Sequence, residues 1–164
     1  MKRFLYYSLT LMGVLWLQIL CNHFLGGSWV SLNGVLVAVL FFGLSRGPLV
    51  GQLMGFTWGL LMDASSLGLM GLHTLIYAAA GYAGGMLRRQ LDETKAWTQA
   101  IFSFAATVVY LGLYITLYHF FSIGGVPISW RLSLQPLANA AIAPLEFWLL
   151  QRWSEAWSIF PVEQ

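Results

Sequence analysis

The chain has 164 residues, of which 59% are hydrophobic and only 9% charged, and its mean hydropathy is +0.72. A soluble domain of this size exposes far more charge, so the composition points to an all-α integral membrane protein without a separate soluble catalytic module. The single cysteine, Cys21, excludes an internal disulfide, and a net charge of +2 spread over apolar stretches makes no nucleic-acid-binding patch.

Crossing a bilayer core takes about 20 apolar helical residues. Candidate spans run over roughly 4–22, 29–44, 48–64, 71–87, 97–121 and 132–151, and the whole of 1–164 reads as one membrane domain. The first, "MKRFLYYSLTLMGVLWLQIL", starts like a signal peptide. Gln18, Leu20 and Cys21 supply no small-residue cleavage site, so an uncleaved first helix is expected. The second and third spans are short, but a re-entrant hairpin would bury Arg46 in lipid at a cost of about 2.5 to 3.5 kcal/mol, which favours two full crossings. "GGSW" and "GGVPIS" read as turns, and Pro48 suits the first turn of the third helix.

Placing the N-terminus in the cytoplasm collects Lys2, Arg3, Arg46, Arg88, Arg89, Lys95 and Arg152 on that side and leaves only Arg131 outside. Six spans then return the C-terminus to the cytoplasm, with outer turns near Gly26, Ser66 and Gly125. Trp29 and Trp130 fall at the outer interface, and Trp97, Trp153 and Trp157 at the inner one. Trp153, Trp157 and Phe160 share a face of the tail, which reads as an interfacial extension of the sixth helix.

The third span holds the most regular pattern in the chain. Gly47, Gly51, Gly55 and Gly59 recur every four residues and Asp63 takes the next step, so all five lie on one helical face. Small residues let backbones approach where lipid supplies little hydrophobic drive, so this is a helix-packing or partner-binding face. The matching surface is helix 4, whose "AAAGYAGG" carries Ala80 and Gly84 in step, or a helix of another protein. Asp63 either caps the following turn by accepting backbone N–H bonds or contacts a partner.

Other polar residues are sparse. His23, His73 and His119 map toward the outer side without metal-ligand spacing, so no metal site is expected. Tyr110, Tyr114 and Tyr118 form a packing stripe on helix 5. Gln135, Asn139 and Glu146 share a face of helix 6, between Pro136 and Pro144, that looks into the bundle; Glu146 is expected close enough to the inner surface to reach water or Arg152. The chain has no Gly-x-Ser-x-Gly elbow, His-Glu-x-x-His or phosphate loop, and no second aspartate within a span. Neither catalysis nor a cofactor is expected.

The stretch "GFTWGLLMDASSLGLMGLHTLIYAAAGYAGG" resembles the MreD family, the small membrane subunit of the bacterial rod-shape system. The resemblance rests on Gly55, Gly59, Asp63, Gly71, Gly81 and Tyr82, on "WLQIL" with Gln18 closing the first span, and on "LANAAIAPLEFWLLQR" with Asn139 and Pro144 in the last. Glu146 stands where an apolar residue is expected. The resemblance implies a six-helix inner-membrane scaffold that binds MreC and works with MreB, RodA and a class B penicillin-binding protein in side-wall peptidoglycan synthesis. Self-association is left open. The alternative is the substrate-binding membrane subunit of an energy-coupling vitamin transporter, also six-helical, which should show small residues on helix 1; only Ser8 and Gly13 are there.

Overall fold

The computed structural model describes residues 2–24, 32–65, 70–91, 95–121 and 130–157. Among them are the helices α1 (Lys2–Phe24), α2 (Gly34–Arg46), α3 (Pro48–Ser65), α4 (Leu72–Met86), α5 (Ala96–Phe121) and α6 (Trp130–Ala156), plus a short 3-10 turn over Leu87–Arg89. No strand occurs among these residues. The segments Leu5–Phe24 and Ala96–Phe121 are long and apolar enough to cross a membrane. The expected turns around Gly26 and Gly125, the segment 66–69 that includes Ser66, and Trp29 and Phe160 lie outside the described residues.

The architecture is organised around α2. It is the shortest of the six helices, at 13 residues, and every residue from Val35 to Leu44 is buried. A helix that is apolar all round demands neighbours on every side, and here α1, α3, α4 and α6 pack against it. The reading of a span from 29 to 44 needs correction, because residues 32 and 33 are not helical and α2 starts at Gly34. The Asn33 side chain accepts the Leu36 N–H at 3.2 Å, and this cap sets the start. Gly47, at φ +96°, ends α2, and Pro48 opens α3 directly after it.

Two further contacts set the helix positions. α3 lies closely along α4, and α5 packs against α6, which continues through Pro136 and Pro144. At the end of the bundle where α2 terminates, Tyr6 and Tyr7 of α1 meet Phe42, and Phe42 meets Trp58 of α3 edge to face at 5.5 Å. Arg46 donates to Ser154 Oγ at 3.0 Å, and Trp153 Nε1 donates to Thr10 Oγ1 at 3.1 Å. Trp157 also rests on Tyr6. The last turns of α6 are thus attached to α1 and α2.

The α3 and α4 backbones approach so closely that no side-chain carbon fits between them. A Cβ added to Gly55 would overlap the Tyr77 carbonyl group, one on Gly59 would overlap Thr74 Cα, and one on Gly51 would overlap the Gly81 carbonyl oxygen. By contrast, a Cβ on Gly13 meets nothing within 4 Å. Gly55→Ala is therefore expected to destabilise the protein by about 1–3 kcal/mol through overpacking. Gly13→Ala is expected to be neutral or to stabilise by up to about 1 kcal/mol, because alanine loses less conformational entropy in a helix. Thermal unfolding of the two purified variants in one detergent checks the contrast, and equal Tm values would contradict it.

Candidate functional site

A helix N-terminus exposes backbone N–H groups that have no partner inside the helix. In this protein the N-terminus of α2 lies within the bundle, where Leu32 and Asn33 are both buried. Side chains from the surrounding helices supply the missing acceptors. Asn22 of α1 accepts the Leu32 N–H at 2.8 Å and donates back to the Leu32 carbonyl at 3.2 Å. Gln18, one turn earlier, accepts the Val35 N–H at 3.1 Å. Asn139 of α6 accepts the Asn33 N–H at 3.0 Å.

The network continues outward from those contacts. Tyr77 of α4 donates its hydroxyl to Asn33 Oδ1 at 2.8 Å, and Asn139 donates through Nδ2 to Thr107 Oγ1 of α5 at 3.0 Å. Thr107 in turn donates to the Ser103 carbonyl at 2.7 Å. One buried polar cluster thus joins α1, α2, α4, α5 and α6.

Asp63 builds a second centre at the far end of α3. It is 3% exposed. Its Oδ2 accepts from the Gly71 N–H at 3.0 Å, the Thr74 N–H at 2.9 Å and the Thr74 hydroxyl at 2.6 Å. Its Oδ1 accepts from the His73 N–H at 3.0 Å and meets His73 Nδ1 at 2.8 Å. A carboxylate only accepts, so the ring nitrogen carries the proton that makes this bond. Asp63 closes the α3–α4 hairpin by capping the first turn of α4, where negative charge is also favoured by the helix dipole. The His73 ring then lies against Tyr77, Tyr110 and Tyr114, with centroids 5.7, 6.3 and 5.5 Å away, so the tyrosine stripe of α5 stacks onto this hairpin.

The residues singled out in the sequence divide between these places. Gly51, Gly55 and Gly59 face α4, and their counterparts are Thr74, Tyr77 and Gly81 rather than Ala80 and Gly84. Gly84 points instead toward Phe102 of α5 and Leu40 of α2, because it is three residues from Gly81 and its own face is turned toward those helices. Gly47 forms the turn between α2 and α3 and is buried there, with its carbonyl carbon and Pro48 against Gly85 of α4. Tyr82 is exposed. Gln18 and Asn139 both belong to the cluster at α2.

Glu146 differs most from expectation. Its carboxyl does not reach Arg152, because residues six apart in a helix point about 120° away from each other and Glu146 is turned inward against Gly34. It is 3% exposed and sits against Gly34, whose added Cβ would be 3.4 Å from Oε2. Its Oε1 has no hydrogen-bond partner among the described residues. Beside it is a cavity of about 20 Å³ bounded by Gln18, Cys21, Gly34, Asn139 and Glu146, among others. That is room for about one water, with polar groups to hold it.

Sequence reasoning missed Asn22, Asn33, Thr74 and Thr107. Asn33 before an apolar run is an N-cap signal that could have been read; the others only acquire meaning from their neighbours in space. Among the described residues, no group of three or more His, Cys, Asp or Glu is placed to hold a metal ion.

The family model described as rod shape-determining protein MreD matches residues 2–153. The chain belongs to the MreD family. Comparisons with curated proteins and with solved structures each found no match. MreD proteins are membrane-associated determinants of rod shape and not a known enzyme family, and the polar centres of this MreD chain are defined by the internal contacts they make.

Two outcomes follow for stability. Both Asp63 oxygens receive N–H donors, so the amide of Asp63→Asn would set donor against donor. That variant is expected to lose about 1–3 kcal/mol and to lower the thermal midpoint, whereas Thr57→Val on the exposed side of α3 leaves it unchanged. Glu146→Gln keeps the shape while removing an ionisable group that has no cation beside it among the described residues, and is expected to match or exceed the parent in Tm. A clear drop for Glu146→Gln would show that the fold needs the carboxyl itself.

Proposed function

We propose that this chain is a multi-pass scaffold subunit of the bacterial inner membrane that binds MreC and supports side-wall peptidoglycan synthesis. The family match over residues 2–153 carries this reading. It also favours a scaffold over the transporter subunit. In this proposal the chain crosses the membrane six times as one domain, with both termini cytoplasmic. The distribution of Lys and Arg supports that orientation, since only Arg131 would lie outside. MreB, RodA and a class B penicillin-binding protein complete the complex.

The geometry narrows how such a scaffold would work. Gly51, Gly55 and Gly59 are occupied by α4 of the same chain, and Asp63 by the first turn of α4. The partner contact is therefore assigned to other faces. α1 offers Leu5, Leu9, Met12, Trp16 and Ile19, all exposed.

Depletion in a rod-shaped host with no second copy is expected to make the cells round up, and normal rods would refute the assignment. For the orientation, Asp92→Cys in a Cys21→Ser background should resist an impermeant thiol reagent in intact cells and label after permeabilisation. Labelling in intact cells would reject the cytoplasmic placement of the α4–α5 connection.

A further inference from the structure

The face of α4 turned toward α5 is not filled by the protein. α4 packs along α3 and α2 and touches α5 sparingly. Between α4 and α5 lies a cavity of about 320 Å³. Ala79, Ala83 and Gly84 wall it on one side and Phe102 and Ala105 on the other, with Leu40 of α2 also lining it. A second cavity, of about 410 Å³, adjoins it and shares Phe102 and Ala105. This one is bounded by Gln90, Lys95 and Trp97, and exposed Arg89 belongs to the same short turn that contributes Leu87 to its wall. The intervening residues 92–94 lie outside the described part of the chain.

We propose that these two cavities form one binding site for an anionic phospholipid, with an acyl chain between α4 and α5 and the headgroup phosphate beside Lys95. The proposal rests on the membrane-embedded reading given above. A methylene takes about the room of a water molecule, roughly 30 Å³ in the liquid, so the apolar cavity admits a chain segment on the order of ten carbons. The two ends also differ in chemistry as a lipid does. The first lining is wholly alanine, glycine and larger apolar side chains apart from Tyr110, whereas the second, still mostly leucine, isoleucine and phenylalanine, adds an amide, an ammonium and an indole, groups that favour a phosphate at a bilayer interface.

The test uses the full-length protein in phosphatidylcholine nanodiscs, with chain-spin-labelled phosphatidylglycerol or phosphatidylcholine as the probe. The protein is expected to immobilise the phosphatidylglycerol probe preferentially. Lys95→Gln combined with Arg89→Gln should reduce that preference by roughly fivefold for each cation removed. Ala105→Phe, on an exposed position lining both cavities, should abolish the immobilised component, and Ala83→Phe on the opposite wall should do the same. Ala141→Phe on an exposed position of α6 should leave it intact. Equal immobilisation of the two probes by the parent protein, or no effect of either plug, would overturn the proposal. So would loss of a copurifying single-span protein from Ala105→Phe with lipid preference unchanged, which would hand the groove to a partner helix. Failure of the protein to enter nanodiscs would overturn the membrane reading together with the site, whereas entry without preference would overturn the site alone.

Discussion

A helix that begins inside an apolar bundle leaves backbone N–H groups away from bulk water, and the rest of this structure is arranged around that constraint. The first turn of α2 is bonded to Gln18 of α1 and to its own cap Asn33, and the two residues leading into it, Leu32 and Asn33, to Asn22 of α1 and Asn139 of α6. An unsatisfied buried amide costs about 1–3 kcal/mol, so displacing any one contributing helix exposes the α2 start to that penalty. The constraint explains why a chain so poor in polar residues buries several amides near one point. It also fixes the register of α1 and α6, because the acceptors on those helices must meet particular N–H groups.

The α3–α4 hairpin solves the complementary problem of holding two helices together with little hydrophobic drive. Glycines remove the side chains from the contact so that the backbones meet. Asp63 then ties the end of α3 to the start of α4 through donors on Gly71, His73 and Thr74. Tyr77 belongs to both devices: its carbonyl packs against Gly55, and its hydroxyl reaches Asn33 in the cluster at α2. Movement of the hairpin would therefore be felt at α2. This close internal packing fits the scaffold role proposed above, in which the chain acts through the surfaces it presents. The surfaces left for that purpose are the outer faces of α1 and α5 and the cleft between α4 and α5, because the most regular helical face in the sequence is consumed internally.

By itself the sequence determined the class of the protein and the number and order of its helices, because hydrophobic composition and helical length are local properties that need no knowledge of neighbours. The four-residue spacing also marked Gly51, Gly55, Gly59 and Asp63 as one face, since helix periodicity alone aligns them. Their partner could not be read the same way. Ala80 and Gly84 repeat at four-residue spacing, but so do Tyr77, Gly81 and Gly85, and only the rotation of α4 in the bundle selects the second set. The meaning of Glu146 was likewise hidden. Its distance from the end of α6 suggested an approach to water, whereas the tertiary structure sets it against Gly34 at the buried start of a neighbouring helix. The start of α2 itself is a tertiary property: Asn33 supplies a local cap, yet the chain can enter the helix within the bundle only because Asn22, Gln18 and Asn139, distant in sequence, converge on the amides of Leu32, Val35 and Asn33.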